Sequence, residues 1–117
     1  MKEFILIFRN SESNSENPSP EQMQAIMKQW QDWIGGIAAQ NKLVSSGNRL
    51  ASEGSKVVKP NNIITNGPFV EIKEAVGGYI IVKAMSVDEA VELSKSCPIL
   101  QIGGSVEVRT IVAMENM

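Results

Sequence analysis

Two short segments are apolar at consecutive positions, and they constrain the fold more than any other feature of the sequence. They are residues 4–8 (FILIF) and the start of residues 79–84 (YIIVKA). Both runs are too short for a buried helix and rich in strand-forming residues, so each predicts a β-strand. Side chains alternate across a strand, so Phe4, Leu6 and Phe8 face one side while Ile5 and Ile7 face the other. These strands therefore need cover on both faces.

A first helix is predicted to begin at Ser19, with Pro20 in the first turn and Gln22 completing a capping box. It runs to about Gln40, with Asn41 ending it. Its apolar face is predicted to contain Met23, Ile26, Met27, Trp30, Ile34, Ile37 and Ala38. The glycine pair at 35–36 would then mark either a bend or a close approach to a neighbouring backbone.

A second helix is predicted after Ser86, because Glu89 follows at the spacing of a full capping box. Pro98 would stop this helix. Its narrow buried stripe is predicted to contain Ala90, Val91, Leu93 and Ser94.

The remaining strands complete a recognisable order. Residues 43–50 predict a weaker strand with a bulge at Gly47. Residues 56–58 and 63–65 predict a short hairpin, and residues 105–112 predict the last strand. The polar segment 10–17 predicts a mobile loop. The order β, α, β, hairpin, β, α, β predicts an α+β ferredoxin-like sandwich, with residues 1–117 as a single domain.

Two helices can cover only one face of a four-stranded sheet, and a large uncovered apolar face is rare on a monomer. The simplest cover is the same face of a second copy, so we expect a homodimer whose interface includes Ile5, Ile7 and Ile80. The alternative is cover by the segments 10–17 or 51–62, which are polar.

Composition excludes several classes of function. The net charge is −2 and the basic residues are scattered, so we expect no nucleic-acid partner. The chain has no histidine and a single cysteine, Cys97, which excludes the usual zinc sites and Ser-His-Asp or Cys-His catalysis. We expect no metal and no cofactor. Without a signal peptide or membrane span in the sequence, we expect a cytoplasmic protein with no membrane partner.

The stretch TNGPFVEIKEAVGGYIIVKA, followed by DEAVEL, CP and GGSVEVR, resembles the YCII-related family, and its DGPF group in particular. The resemblance implies a ferredoxin-like fold that dimerises into an α+β barrel, with a cleft beside the DGPF loop. Some members of the family resemble lactone isomerases or dehydrochlorinating enzymes. The family's usual aspartate is Asn66 here, and the histidine of its acid-base pair has no counterpart. The motif remains as architecture, with Asn66 forming an Asx-type turn ahead of Pro68.

Candidate ligand-binding residues follow from this loop and from the last strand. Glu107 and Arg109 share one strand face. They predict either a ligand-binding site or a structural ion pair, formed with each other or across the dimer. Glu71 and Lys73 predict either a polar pocket or a solvated local ion pair. Arg9 predicts either an anion-binding rim or an exposed strand end. The full candidate set is Asn66, Gly67, Pro68, Phe69, Glu71, Lys73, Glu107, Arg109 and Arg9.

Two functions remain open from the sequence. One is a dimeric small-molecule-binding or regulatory module with a cleft beside the NGPF loop. The other is an enzyme of the lactone-isomerase or dehydrochlorinase type that uses carboxylate and arginine groups without histidine. The absence of histidine and of the motif aspartate favours the binding module.

Overall fold

A computed structural model describes residues 1–9, 19–51, 53–67 and 75–114 of the chain. The fold is α+β, with a four-stranded antiparallel sheet, a separate hairpin and two helices. The strands are β1 (Lys2–Arg9), β2 (Leu43–Arg49), β3 (Lys56–Lys59), β4 (Ile63–Asn66), β5 (Val76–Ala84) and β6 (Ser105–Thr110), and the helices are α1 (Pro20–Ala39) and α2 (Val87–Ser94). The sheet order β2-β5-β1-β6 is consistent with the predicted ferredoxin-like sandwich.

The core lies between the helices and one face of the sheet. Phe4, Leu6 and Phe8 of β1 are buried there, as the alternation predicted. Ile80 is opposite Leu6 and is also buried in this core. Its expected place in a dimer interface with Ile5 and Ile7 is therefore wrong, because cross-strand neighbours in register project from the same face.

The start of α1 confirms the predicted capping box. Ser19 Oγ accepts a hydrogen bond from the Gln22 amide, while the Gln22 side chain accepts one from the Ser19 amide. The prediction of the buried face is confirmed at Ile37, and Trp30 and Ile34 pack partly buried against the core. It is wrong at Met23 and Met27, which are exposed, and it omitted Trp33, which is buried.

An aromatic cluster sets this rotation of α1. The rings of Trp30 and Trp33 both meet Phe8 edge to face, with centroids 4.9 and 5.8 Å away, respectively. Trp33 Nε1 also donates a hydrogen bond to the carbonyl of Leu93. The two tryptophans thus join α1 both to the sheet and to α2.

The glycine pair inside α1 does not interrupt the helix. A Cβ atom at Gly35 or Gly36 would meet no described atom within 4 Å, so the predicted close approach to another backbone is wrong. The helix ends near the predicted position, with Gln40 as its C-cap and Asn41 at φ 60°.

The start of α2 carries half of the predicted capping box. Ser86 Oγ accepts a hydrogen bond from the Glu89 amide. The Glu89 side chain instead forms a salt bridge with Lys42, at 3.0 Å. Val91 is exposed, unlike the predicted stripe, while Ala90 and Ser94 are buried. Pro98 opens a 3₁₀ turn after the helix.

The remaining elements largely follow the sequence. Strands β3 and β4 form the predicted hairpin, and β2 changes register around Gly47, which has a φ of 64°. Strand β6 ends at Thr110, two residues earlier than predicted. The loop predicted at residues 10–17 lies outside the described residues.

Candidate functional site

The sheet face opposite the helices, which we call the open face, carries two rows of side chains. The four strands pair so that each strand contributes one side chain to each row. The first row contains Asn48, Tyr79, Ile7 and Glu107. The second row contains Ser45, Ile81, Ile5 and Arg109. The centre of the open face is therefore apolar, and its two edges are polar.

An ion-pair cluster occupies the β6 edge of the open face. An Arg9 terminal nitrogen (Nη) lies 2.7 Å from Glu107 Oε1, and Arg109 Nε lies 3.8 Å from Glu107 Oε2. The hydrogen bond from Arg9, together with the charges of both arginines, holds the pKa of the Glu107 carboxyl below its usual range. This edge therefore presents an ionised carboxylate between two guanidinium groups.

The opposite edge carries a neutral polar pair. Asn48 Nδ2 donates a hydrogen bond to the Tyr79 hydroxyl oxygen, at 3.0 Å. This contact depends on the register shift in β2, which brings Asn48 opposite Tyr79. Asn48 is not among the residues predicted from the sequence, because a period-two pattern cannot locate the partner of a residue beyond a bulge.

The other candidate residues lie elsewhere or are not described. Asn66 belongs to β4, where its Oδ1 accepts a hydrogen bond from Nζ of Lys56. Gly67 has a φ of 54°, and its amide donates to the carbonyl of Ser55. Pro68, Phe69, Glu71 and Lys73 lie outside the described residues. Because Pro68 has no N–H, the donor to the predicted Asx-type turn would have to come from beyond Pro68, which is also outside the described residues. Of the candidate set, the structure brings together Arg9, Glu107 and Arg109.

The model of the YCII-related domain matches residues 3–115. The chain belongs to the YCII-related domain family. No curated protein matches it significantly. It is similar to the solved structure of 5-chloro-2-hydroxyhydroquinone dehydrochlorinase from Burkholderia phenoliruptrix in complex with 2,5-dihydroxybenzoquinone, at 17% identity and a TM-score of 0.47, covering 96% of each chain.

The helical side of this YCII-related domain carries a groove. Its volume is about 680 Å³, and it lies between α1 and the segment from α2 to the following 3₁₀ turn. Trp33, Leu93 and Pro98 supply apolar lining, and the Lys42–Glu89 salt bridge lies at its wall. Asp32 and Glu92 also line the groove, so its lining is mainly acidic, whereas Arg9 and Arg109 make the β6 edge of the open face mainly basic.

Three other features bear on function: metal ligands, the single thiol and the length of the helices. Within residues 1–9, 19–51, 53–67 and 75–114, no group of three or more acidic or cysteine side chains is placed to hold a metal ion. Cys97 is buried, and burial raises the pKa of its thiol to about 11. A thiol held protonated in this way is a poor nucleophile. Neither helix in this described part of the chain is long and apolar enough to span a bilayer.

Proposed function

We propose that this YCII-related protein is a cytoplasmic homodimeric module of the DGPF group that binds a small molecule. The binding surface is the open face, and the hairpin that ends at Asn66 is a separate sheet. A second copy covers this face and converts the two sheets into an α+β barrel. The observation that carries the proposal is an apolar sheet face with polar groups at both edges, which neither helix of the described residues covers.

The chemistry of the open face favours one class of ligand. Ile5, Ile7 and Ile81 are half-buried and provide an apolar floor, on which a flat hydrocarbon or aromatic body can pack. The Arg109 side chain is largely exposed at the edge, where it can bind an anionic or carbonyl oxygen. The Tyr79 hydroxyl can hydrogen-bond a second polar group across the floor. We therefore expect a small, largely apolar molecule with oxygen-bearing groups at its ends.

The state of Glu107 favours binding over acid-base catalysis. Its carboxylate is stabilised in the ionised form by Arg9 and Arg109. A general base works best with a pKa near the working pH, so a lowered pKa makes Glu107 a weak base. Its place between two guanidinium groups suits it better to orienting them towards a ligand.

The test is a binding screen followed by amide chemical shifts. We would titrate the labelled protein with small aromatic and aliphatic carboxylates and lactones. A ligand of the open face is expected to shift the amides of Ile7, Tyr79, Ile81 and Glu107. Arg109→Gln should weaken binding of a carboxylate by about tenfold or more, which corresponds to about 1.4 kcal/mol.

Lys28→Gln is the matched control, because Lys28 also forms an ion pair with a carboxylate but lies exposed on α1. This variant should bind with unchanged affinity. Shifts confined to Trp33, Leu93 and their neighbours would overturn the proposal in favour of the groove between the helices. Chemical conversion of a lactone in the same samples would point to catalysis instead of binding.

A further inference from the structure

Strand β6 forms an edge of the main sheet that is open to another chain. In the described part of the molecule, β6 pairs with β1 on one side and with no strand on its other side. Its register with β1 is regular along all six residues. The other edge strand, β2, is interrupted around Gly47, which protects an edge from further pairing. The unpaired backbone groups of a regular edge strand favour the addition of another strand.

The direction of these backbone groups follows from one hydrogen bond. The Ile111 amide donates to the Glu3 carbonyl, at 3.0 Å, and the register places these two residues opposite each other. Hydrogen-bonded and non-hydrogen-bonded pairs alternate in an antiparallel ladder, so Arg109 and Glu107 also bond to β1. The N–H and C=O groups of Val106, Val108 and Thr110 consequently point away from β1, at the free edge.

We propose that β6 pairs antiparallel with β6 of a second copy, about a two-fold axis at Val108. The outward N–H and C=O of Val108 would then exchange two hydrogen bonds with Val108 of the partner subunit. Val106 would pair in the same way with Thr110 of the partner subunit. When a two-fold axis passes through a hydrogen-bonded pair, both strands contribute the same residue to that pair. The N–H and C=O groups of this residue must point away from β1, as those of Val108 do.

Charge complementarity favours this register, and it favours a second copy of the chain as the partner at the free edge of β6. With Val108 at the centre, Glu107 lies opposite Arg109 of the partner subunit, and Arg109 opposite the partner subunit's Glu107. Both are non-hydrogen-bonded pairs, in which side chains approach most closely and opposite charges stabilise the sheet. A shift of the centre to Val106 or Thr110 would keep the outward geometry but lose both charge pairs. The strand is therefore complementary to itself.

The pairing adds a residue to the cluster on the open face. Each Glu107 would gain the partner subunit's Arg109 in addition to Arg9 and Arg109 of its own chain. This edge contact is separate from cover of the open face by another copy, and it does not depend on ligand binding. Both contacts can form together, and they give a closed tetramer when the two two-fold axes intersect at right angles.

Hydrogen exchange of single amides tests the pairing directly. At high protein concentration, the amides of Val106, Val108 and Thr110 should exchange at least about tenfold more slowly than in dilute protein. A dimer that uses only the open face would leave these three amides in water. Thr110→Pro removes an outward N–H without removing a hydrogen bond to β1, so the variant should fold, lose the protection and sediment as a smaller species.

Thr110→Val is the matched control, because it keeps the backbone N–H and should retain both the protection and the assembly size. Arg109→Glu should weaken the association by placing two carboxylates opposite each other. The triple variant Arg9→Glu/Glu107→Arg/Arg109→Glu reverses all three charges, so it should restore the association without placing an arginine beside Arg9. Rapid exchange of the three amides at the highest concentration would overturn the proposal. Protection that survives both dilution and Thr110→Pro would also overturn it, because a contact within one chain would then be its cause.

Discussion

Arg9 and Glu107 form the closest ion pair on the open face, with 2.7 Å between an Nη atom of Arg9 and Oε1 of Glu107. The two residues belong to neighbouring strands and are 98 positions apart in the sequence. The sequence alone predicts an ion pair between Glu107 and Arg109, within one chain or across a dimer. Within one chain, Arg109 Nε is more distant, at 3.8 Å, so Arg9 is the principal partner of Glu107.

Loss of the Glu107 carboxylate should destabilise the protein in a pH-dependent way. The folded-state pKa of Glu107 lies below its ordinary value of 4.5, because Arg9 and Arg109 stabilise the ionised form. Its contribution to stability is therefore fully present above about pH 4.5 and is lost as the pH falls through the lowered pKa. Glu107→Gln should lower the urea midpoint at neutral pH, and this difference should shrink in acid. Glu92→Gln, at an exposed ion pair on α2, should show little difference at either pH.

Two glycine substitutions should have opposite effects on stability. An added Cβ at Gly47 would lie 1.7 Å from the Tyr79 carbonyl oxygen, and its φ of 64° disfavours side chains. Gly47→Ala should therefore cost about 3 kcal/mol or more, or prevent folding. Gly35→Ala lies in an α-helix with no described atom near the new Cβ, and it should stabilise by about 0.5–1 kcal/mol. Urea unfolding measures both, and equal effects would contradict the placement of β2 against β5.

Ile7→Glu should prevent a second copy from covering the open face. Ile7 lies between Tyr79 and Glu107 in the first row, so the substitution would bury an unpaired carboxylate in the dimer. Measured in a Thr110→Pro background, which removes the edge contact, the variant should sediment as a folded monomer. Met27→Glu changes an exposed apolar residue on α1 and should leave the assembly size unchanged. A persistent dimer of the Ile7→Glu variant would contradict the barrel.

Asn66→Asp should fold normally and change stability by no more than about 1 kcal/mol. The new carboxylate would face Lys56, which already donates a hydrogen bond to the Asn66 side chain at an exposed position. Thermal melts of wild type and variant measure the effect. The same substitution in a Lys56→Met background is the control, and any gain in stability from the ion pair should be absent there. Failure of Asn66→Asp to fold would mean that the amide donor of Asn66 is required.

The Cys97 thiol should be unreactive in the native protein. It is buried, and its pKa of about 11 leaves very little thiolate at neutral pH. Reaction with a thiol-specific reagent should therefore follow the rate of unfolding and should accelerate in urea. Rapid labelling of the folded protein at neutral pH would show that the 3₁₀ turn after α2 opens more readily than its packing indicates.

Local patterns in the sequence determined the main elements of the fold. The apolar run FILIF predicted β1 and the side chains on each of its faces, because alternation is a property of any strand. Ser19 and Gln22 located the start of α1, because a cap requires only residues close in sequence. The element order then predicted the α+β sandwich, since few topologies accommodate it.

Tertiary structure decided which distant groups meet. Three features depend on how segments far apart in the chain meet. They are the sheet face on which Ile80 lies, the salt bridge that Glu89 makes in place of a capping contact, and the pairing of Arg9 with Glu107. A shift of one residue in register moves a side chain to the opposite face, and no local pattern reports that choice. The sequence therefore determined the elements and the alternation along β1, whereas strand pairing and helix packing determined which side chains lie inward and which form the open face.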